Sequence, residues 1–287
     1  PGMIAEVDSR RLMSVDGFIR HAYATRKHLE QRESNGKVTS KEVRTAEKWI
    51  QWPSRSECAG LTYAPGEDLY VGGSLNTWRG WGVQPKQGDI GPWVKLVAHL
   101  FGGKAELIRW FSQWCAYPLQ HPGAKLYSAV VLWGTKQGTG KTVLAYTLAR
   151  IYGENATEIR ERDLHGSFNE WQINKQFVIG DEGTGSDRRS EADRIKGLIT
   201  QSSIRINKKF LPSYSLPDCV NYLFCSNHPD AFFLDDSDRR MFVHEVSCDP
   251  LPDAFYRDYD RWFKSEAGRL SPFLATRVKE CPTRLHP

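Results

Sequence analysis

One stretch restricts this chain more than any other. Residues 134–142 read Gly-Thr-Lys-Gln-Gly-Thr-Gly-Lys-Thr, directly after the apolar run Ser128–Trp133 and directly before a helical repeat, Thr142–Tyr152, that Gly153 closes. A glycine-rich loop between a buried strand and a helix lets backbone N–H groups turn inward around phosphate oxygens, and the helix start adds its positive end. In that context Lys141 reaches the β- and γ-phosphates of a triphosphate and Thr142 holds Mg2+. The expected contacts are Gly134, Gly138, Thr139, Gly140, Lys141 and Thr142, and the expected ligand is ATP with Mg2+. The usual spacing asks for glycine where Thr135 stands; Gly134 comes one place early and can still start the turn. The competing reading is a glycine-rich turn that binds nothing.

The remaining periodicity sets the fold class. Gln176–Gly180, Tyr222–Ser226 and Met241–Val246 are short apolar runs that read as buried strands, Ile204–Phe210 reads as extended, and Glu191–Thr200 and residues 92–117 read as helical. Strands alternating with helices predict an α/β protein with a mostly parallel sheet between helices. Residues 1–60 read as a helical N-terminal region. Val15–Glu33 is dense in charge with interspersed Phe18, Ile19, Tyr23 and Leu29, and Thr39-Ser40-Lys41-Glu42 has the form of a capping box before Val43, Ala46, Trp49 and Ile50. Ser34-Asn35-Gly36-Lys37 is a turn, and residues 60–90 read as short strands separated by Gly and Pro. The domain expectation is an accessory region over 1–90, a nucleotide-binding core over 91–250 and a helical tail over 251–287.

Composition excludes little beyond membrane and disulfide classes. The hydrophobic fraction of 40% and charged fraction of 25% are those of an ordinary globular protein. No stretch reaches the roughly 18 uninterrupted apolar residues of a membrane span, and no secretory signal opens the chain, so the expected location is cytoplasmic, with no membrane partner. The six cysteines form no CxxC pair and read as reduced thiols. Pro1-Gly2-Met3 looks like a cleavage remnant, so the chain is expected to be a piece of a longer polypeptide. A formal net charge of +5 is a weak argument for a polyanionic partner.

Forty residues after Lys141, the strand Phe177–Gly180 ends in Asp181-Glu182. Asp181 is placed to bind the Mg2+ shell and Glu182 to orient or deprotonate an attacking water; an acidic cap or turn is the structural alternative. Tyr222–Ser226 ends in Asn227, whose amide donates and accepts at once and so suits sensing of a γ-phosphate or positioning of water, although Ser-Asn after a strand is also an ordinary turn. Leu234–Met241 is an acidic loop ending in Arg239-Arg240. Paired arginines there form either a local salt-bridge cluster or a finger that stabilises charge on a transferring phosphoryl group, with Arg240 favoured over Arg239 and reaching into a neighbouring subunit.

These four elements, in this order, resemble the superfamily 3 helicases of viruses and mobile elements, above all the helicase module of phage and plasmid primase-helicases, over roughly residues 90–280. The resemblance implies an AAA+-like P-loop NTPase core and ATP-dependent unwinding of single-stranded or forked DNA by a homo-oligomer, a hexameric ring, in replication of a phage or mobile element within a bacterial host. It also implies a primase or polymerase domain elsewhere in the parent protein. Ile204–Phe210 looks like the lead into a DNA-contacting hairpin, which points to Lys208 or Lys209 as backbone contacts. Lysine pairs with phosphates without reading sequence, as a moving motor requires; an exposed basic strand edge is the alternative. Leu75-Asn76-Thr77-Trp78-Arg79-Gly80 looks like the lead-in of the same group, with no role derivable from its residues. The ten tryptophans are expected mostly in the core. Two other functions stay open: a small-molecule kinase, in which Asn227 and the arginine pair have no evident duty, and a DNA-binding initiator or loader that nucleotide only switches.

Overall fold

The computed structural model describes residues 2–9, 11–34, 36–84, 88–165, 169–181, 188–207, 213–228 and 238–265. They divide into two compact units, one within Pro1–Gly60 and Gly73–Leu75, the other within Leu61–Gly72 and Asn76–Pro287.

The first unit keeps helical turns over Val15–Gly17 and Phe18–Ala22 of the expected helical stretch 15–33 and replaces its second half with a strand. Met3–Glu6 pairs antiparallel with Arg11–Ser14, and Lys27–Ser34 pairs antiparallel with Lys37–Arg44. Ser34 lies opposite Lys37, and Gly36 between them has φ +71, while its sequence neighbour Asn35 lies outside the described residues. Asn-Gly is the strongest short hairpin signal because a two-residue loop needs positive φ. The turn falls where the sequence places it but joins strands, and the residues resembling a capping box lie inside the second strand. A cross-strand charge pair supports the pairing, with Lys27 Nζ 2.7 Å from Glu42, and Lys48 of the following helix places Nζ 2.6 Å from Glu30. The helical spacing of Ala46, Trp49 and Ile50 is realised as helix Thr45–Gln51.

The second unit carries the sheet. Its main elements are α1 (Gly91–Leu100), α2 (Ala105–Gln120), β1 (Ala129–Trp133), α3 (Lys141–Tyr152), β2 (Ala156–Ile159), β3 (Phe177–Asp181) and α4 (Arg188–Thr200). They continue with β4 (Ser203–Ile206), β5 (Tyr214–Pro217), β6 (Asn221–Ser226), β7 (Met241–Glu245) and α5 (Asp253–Lys264). Five strands form one sheet in the order β7-β1-β6-β3-β2, every neighbouring pair parallel. The helical expectation over 92–117 splits into α1 and α2 at Gly102-Gly103, both at positive φ.

Strand alternation builds two cores. Val130 and Leu132 of β1 face one, with Ile179, Leu223, Leu144 and Leu148; Ala129 and Val131 face the other, with Val178, Tyr222, Phe224 and Ile199. Each fully buried large apolar side chain contributes roughly 1.5–3 kcal/mol, so a sheet covered on both faces holds its strands firmly. The lead-in segment now has a role. Asn76 Nδ2 donates to the carbonyls of Ala64, Glu67 and Asp68, Trp78 Nε1 donates to Gln176 Oε1 at 3.1 Å, and Gly82 N donates to Ile151 O at 2.9 Å. It fastens the chain to the end of α3 and the start of β3. Five described cysteines are free thiols, and Cys281 lies outside the described residues. No described helix is long and apolar enough to cross a membrane.

At the amino-terminal edge of the sheet, Lys125 Nζ bonds Asp218 Oδ2 at 2.6 Å and Leu198 O at 2.7 Å, with side chains 5% and 0% exposed. Burial lowers the lysine's pKa and Asp218 opposes that. Removing one member leaves an uncompensated buried charge. Lys125→Met should therefore cost about 3–5 kcal/mol in urea unfolding, and Lys125→Met/Asp218→Leu should recover most of it; a single variant as stable as the parent would refute this.

Candidate nucleotide site

The loop that joins β1 to α3 is shaped by its neighbours. Gly134 N donates to Ser226 O at 3.1 Å, and Val246 N donates to Trp133 O at 2.7 Å, so the chain leaving β1 passes between the ends of β6 and β7. A Cβ on Gly134 would collide with the Val246 carbonyl oxygen, which explains why glycine stands at 134 while exposed Thr135 is accommodated. Gly138 at φ +71 and Gly140 at φ +102 occupy the left-handed region that other residues rarely adopt. Gly140 is the N-cap of α3, and a Cβ there would lie 2.8 Å from Leu96 Cδ1 and 3.4 Å from Tyr256 Cε1.

Lys141 opens α3 with its side chain turned back into the loop. Its Nζ bonds Gly134 O at 3.1 Å and Lys136 O at 3.2 Å, and the residue is 5% exposed. Thr139 is 1% exposed, and its Oγ1 has no hydrogen-bond partner among the described residues, an unmet requirement that a ligand oxygen would meet. Thr142 sits exposed in the first helical turn. The residues present thus fit a bound phosphate: a buried ammonium, an orphan hydroxyl and a helix N-terminus share one loop.

The carboxyl edge of the sheet brings further predicted residues alongside. Asp181 pairs with Cys225, and Ser226 pairs with Trp133, so the ends of β3, β6 and β1 lie level. Asp181 is thus two strand spacings, about 10 Å, from the loop's start, with half-buried Asn227 following the strand between them. Gly180 precedes Asp181 because the Phe224 ring crosses it; a Cβ there would collide with Phe224 Cδ1. Glu182, Lys208 and Lys209 lie outside the described residues. Among those described, no group of three or more His, Cys, Asp or Glu side chains could hold a metal.

The arginine pair lies at the other edge. Ala129 N donates to Arg240 O at 2.8 Å, and Met241 pairs with Ala129. Arg240 is therefore about 13 Å, the length of β1, from the loop of its own chain. Arg239 is exposed. Arg240 Nε and Nη2 bond Asp238 Oδ1 and Oδ2 at 2.8 and 2.9 Å. This hydrogen bonding holds the Asp238 carboxyl below its ordinary pKa and raises that of the guanidinium.

Sequence reasoning missed the segment after β7 that lies beside the loop. Lys136 Nζ bonds Asp249 Oδ1 at 2.6 Å, His99 Nε2 lies 2.8 Å from Asp249 O, and Pro250 Cγ would stand 3.8 Å from a Cβ on Gly138. The Lys136 partnership lowers the Asp249 pKa. No local signal marks these residues, since their contacts span more than a hundred positions.

A family model described as a family of unknown function (DUF5906) matches residues 132–240, from the end of β1 to Arg240. The DNA primase-polymerase of Nitratiruptor phage NrS-1 is 30% identical over 156 residues, covering 53% of this chain and 21% of that protein. The chain thus spans about a fifth of that relative's length. Two solved apo structures of the NrS-1 C-terminal region share the fold, both at TM-score 0.66. One has 22% identity and covers 87% of this chain and 64% of that one; the other has 21% identity and covers 88% and 65%.

The close approach at residue 134 makes a stability prediction independent of any ligand. Gly134→Ala should lose about 1–3 kcal/mol in chemical unfolding through overpacking, whereas Thr135→Gly should lose no more than about 1 kcal/mol of backbone entropy. Equal effects would show that the Val246 carbonyl does not set the residue at 134.

Proposed function

We propose that this chain is a nucleotide-hydrolysing motor module of the superfamily 3 helicase type, with a P-loop NTPase core, acting on single-stranded or forked DNA in phage or mobile-element replication. The observation that carries the reading is the loop itself. A left-handed glycine turn delivers the buried Lys141 ammonium and the orphan Thr139 hydroxyl to the N-terminus of α3, at the carboxyl edge of an all-parallel sheet. Ligands of open parallel sheets sit at that edge. The likeness to a protein named a DNA primase-polymerase favours DNA as the polymer and a priming domain elsewhere in a longer parent chain.

In this reading Gly134, Gly138, Thr139 and Gly140 surround the triphosphate, and Lys141 contacts its β- and γ-phosphates. Thr142 and Asp181 would hold Mg2+, which would neutralise charge on the phosphates. Glu182 orients or deprotonates the attacking water, and Asn227 positions it from the strand between loop and carboxylate. Arg240, with Arg239 beside it, lies at the opposite edge of the sheet from its own loop and in this reading serves the site of a neighbouring subunit in a homo-oligomeric ring. Lys208 and Lys209 contact the DNA backbone.

Purified protein should hydrolyse ATP with Mg2+ faster when single-stranded DNA is added, and should displace a strand from a forked duplex. Lys141→Ala and Arg240→Ala should each lose at least about 10³-fold in rate, and mixing the two inactive variants should restore activity. No binding of Mg2+-nucleotide with or without a polynucleotide would overturn the motor reading. Hydrolysis without strand displacement would instead favour an initiator or loader.

A further inference from the structure

Beyond the arginine itself, the structure contains a group that holds it. Asp238 meets Arg240 three times: Nε to Oδ1 at 2.8 Å, Nη2 to Oδ2 at 2.9 Å, and the backbone N to Oδ1 at 3.0 Å. A side-on fork of this kind fixes the plane of the guanidinium and leaves its Nη1 edge turned away from the carboxylate. The Arg240 side chain is 37% exposed and that of Asp238 only 4%. Lys196, on α4, places Nζ 3.5 Å from Asp238 Oδ2 and 3.8 Å from Asp193 Oδ1. The buried carboxylate therefore has a second cation within the body of its own chain, and its charge stays balanced when the arginine engages something else.

We propose that Asp238, supported by Lys196, is a positioning residue: it holds the Arg240 guanidinium at a fixed angle on the amino-terminal edge of the sheet, ready for the phosphate site of a second copy. The proposal rests on the functional reading above and adds to it two residues that touch neither nucleotide nor the neighbouring loop. A bare exposed arginine samples many rotamers, whereas a forked one presents one edge in one direction. Misplacement by about 1 Å costs on the order of 10²-fold in rate, so the support should be visible in turnover.

The test is subunit mixing. Asp238→Asn keeps the residue's size and removes its charge, so its own nucleotide site stays whole while the arginine it offers is misdirected. Its ATPase turnover should fall about 10²-fold with an unchanged KM for ATP, and mixing with Lys141→Ala, which has a dead site and a sound arginine, should restore turnover. Lys196→Met should show the same complementation with a smaller loss, and Lys196→Arg should recover the parent rate. Turnover at the parent rate in Asp238→Asn would overturn the proposal. So would a loss that mixing with Lys141→Ala does not repair in a variant whose melting temperature matches the parent's. If Asp238→Asn does not fold, Lys196→Met decides by the same criteria. Failure of the motor reading looks different: there the parent protein itself hydrolyses nothing, or Arg240→Ala fails to complement Lys141→Ala.

Discussion

Parallel pairing of β1 on both of its edges is the constraint from which the rest of the second unit follows. With β6 on one side and β7 on the other, both faces of β1 must be apolar, and Ala129 to Leu132 are divided between two cores by simple alternation. Because all five strands run the same way, their carboxyl ends line one edge. The chain leaving β1 then has to turn between the Ser226 and Val246 backbones. That crowding removes the side chain at 134, and the left-handed Gly138 and Gly140 return the chain into α3. The loop's form is imposed by its neighbours as much as by its own glycines.

The same crowding explains which parts of the fold the sequence discloses. β1, β3 and β6 are legible as short apolar runs because central parallel strands are buried on both faces, and β7, at the sheet edge, is legible from the adjacent Met241, Phe242 and Val243. β2 is not: Ala156-Thr157-Glu158-Ile159 is an edge strand with an exposed glutamate and no run to find. The hairpin over 27–44 misleads because nearly every side chain on it is exposed, so no alternation appears and its charges suit helical spacing equally well. There the dipeptide Asn35-Gly36 outweighs a capping-box pattern, since positive φ is a hard steric requirement and a cap is worth only about 1 kcal/mol.

In the candidate site, the backbone geometry of the loop was legible, and the residues brought beside it by distant contacts were not. Gly134, Gly138, Gly140 and Lys141 stand in a local order that only one turn satisfies. Asp249 and His99, by contrast, reach the loop's surroundings through pairings across the fold that no spacing encodes. Asp238 lies between these cases. Its place two residues before Arg240 was visible, but a carboxylate next to an arginine on a loop is common, and only its burial and the approach of Lys196 from α4 separate it from an ordinary surface pair.

The two edges of the sheet divide the proposed chemistry. A phosphate held by Lys141 lies beyond the carboxyl end of β1, while Arg240 is fixed by backbone pairing at its amino end, and the strand between them is itself the barrier. An arginine side chain cannot span a strand of the core that supports it, so if Arg240 acts on a phosphoryl group, that group belongs to another copy. Ordering a long side chain at such a meeting costs about 0.5–1.5 kcal/mol. In the proposed motor, the fork with Asp238 would meet that cost during folding of each subunit and leave more of the contact energy for charge that would develop during transfer.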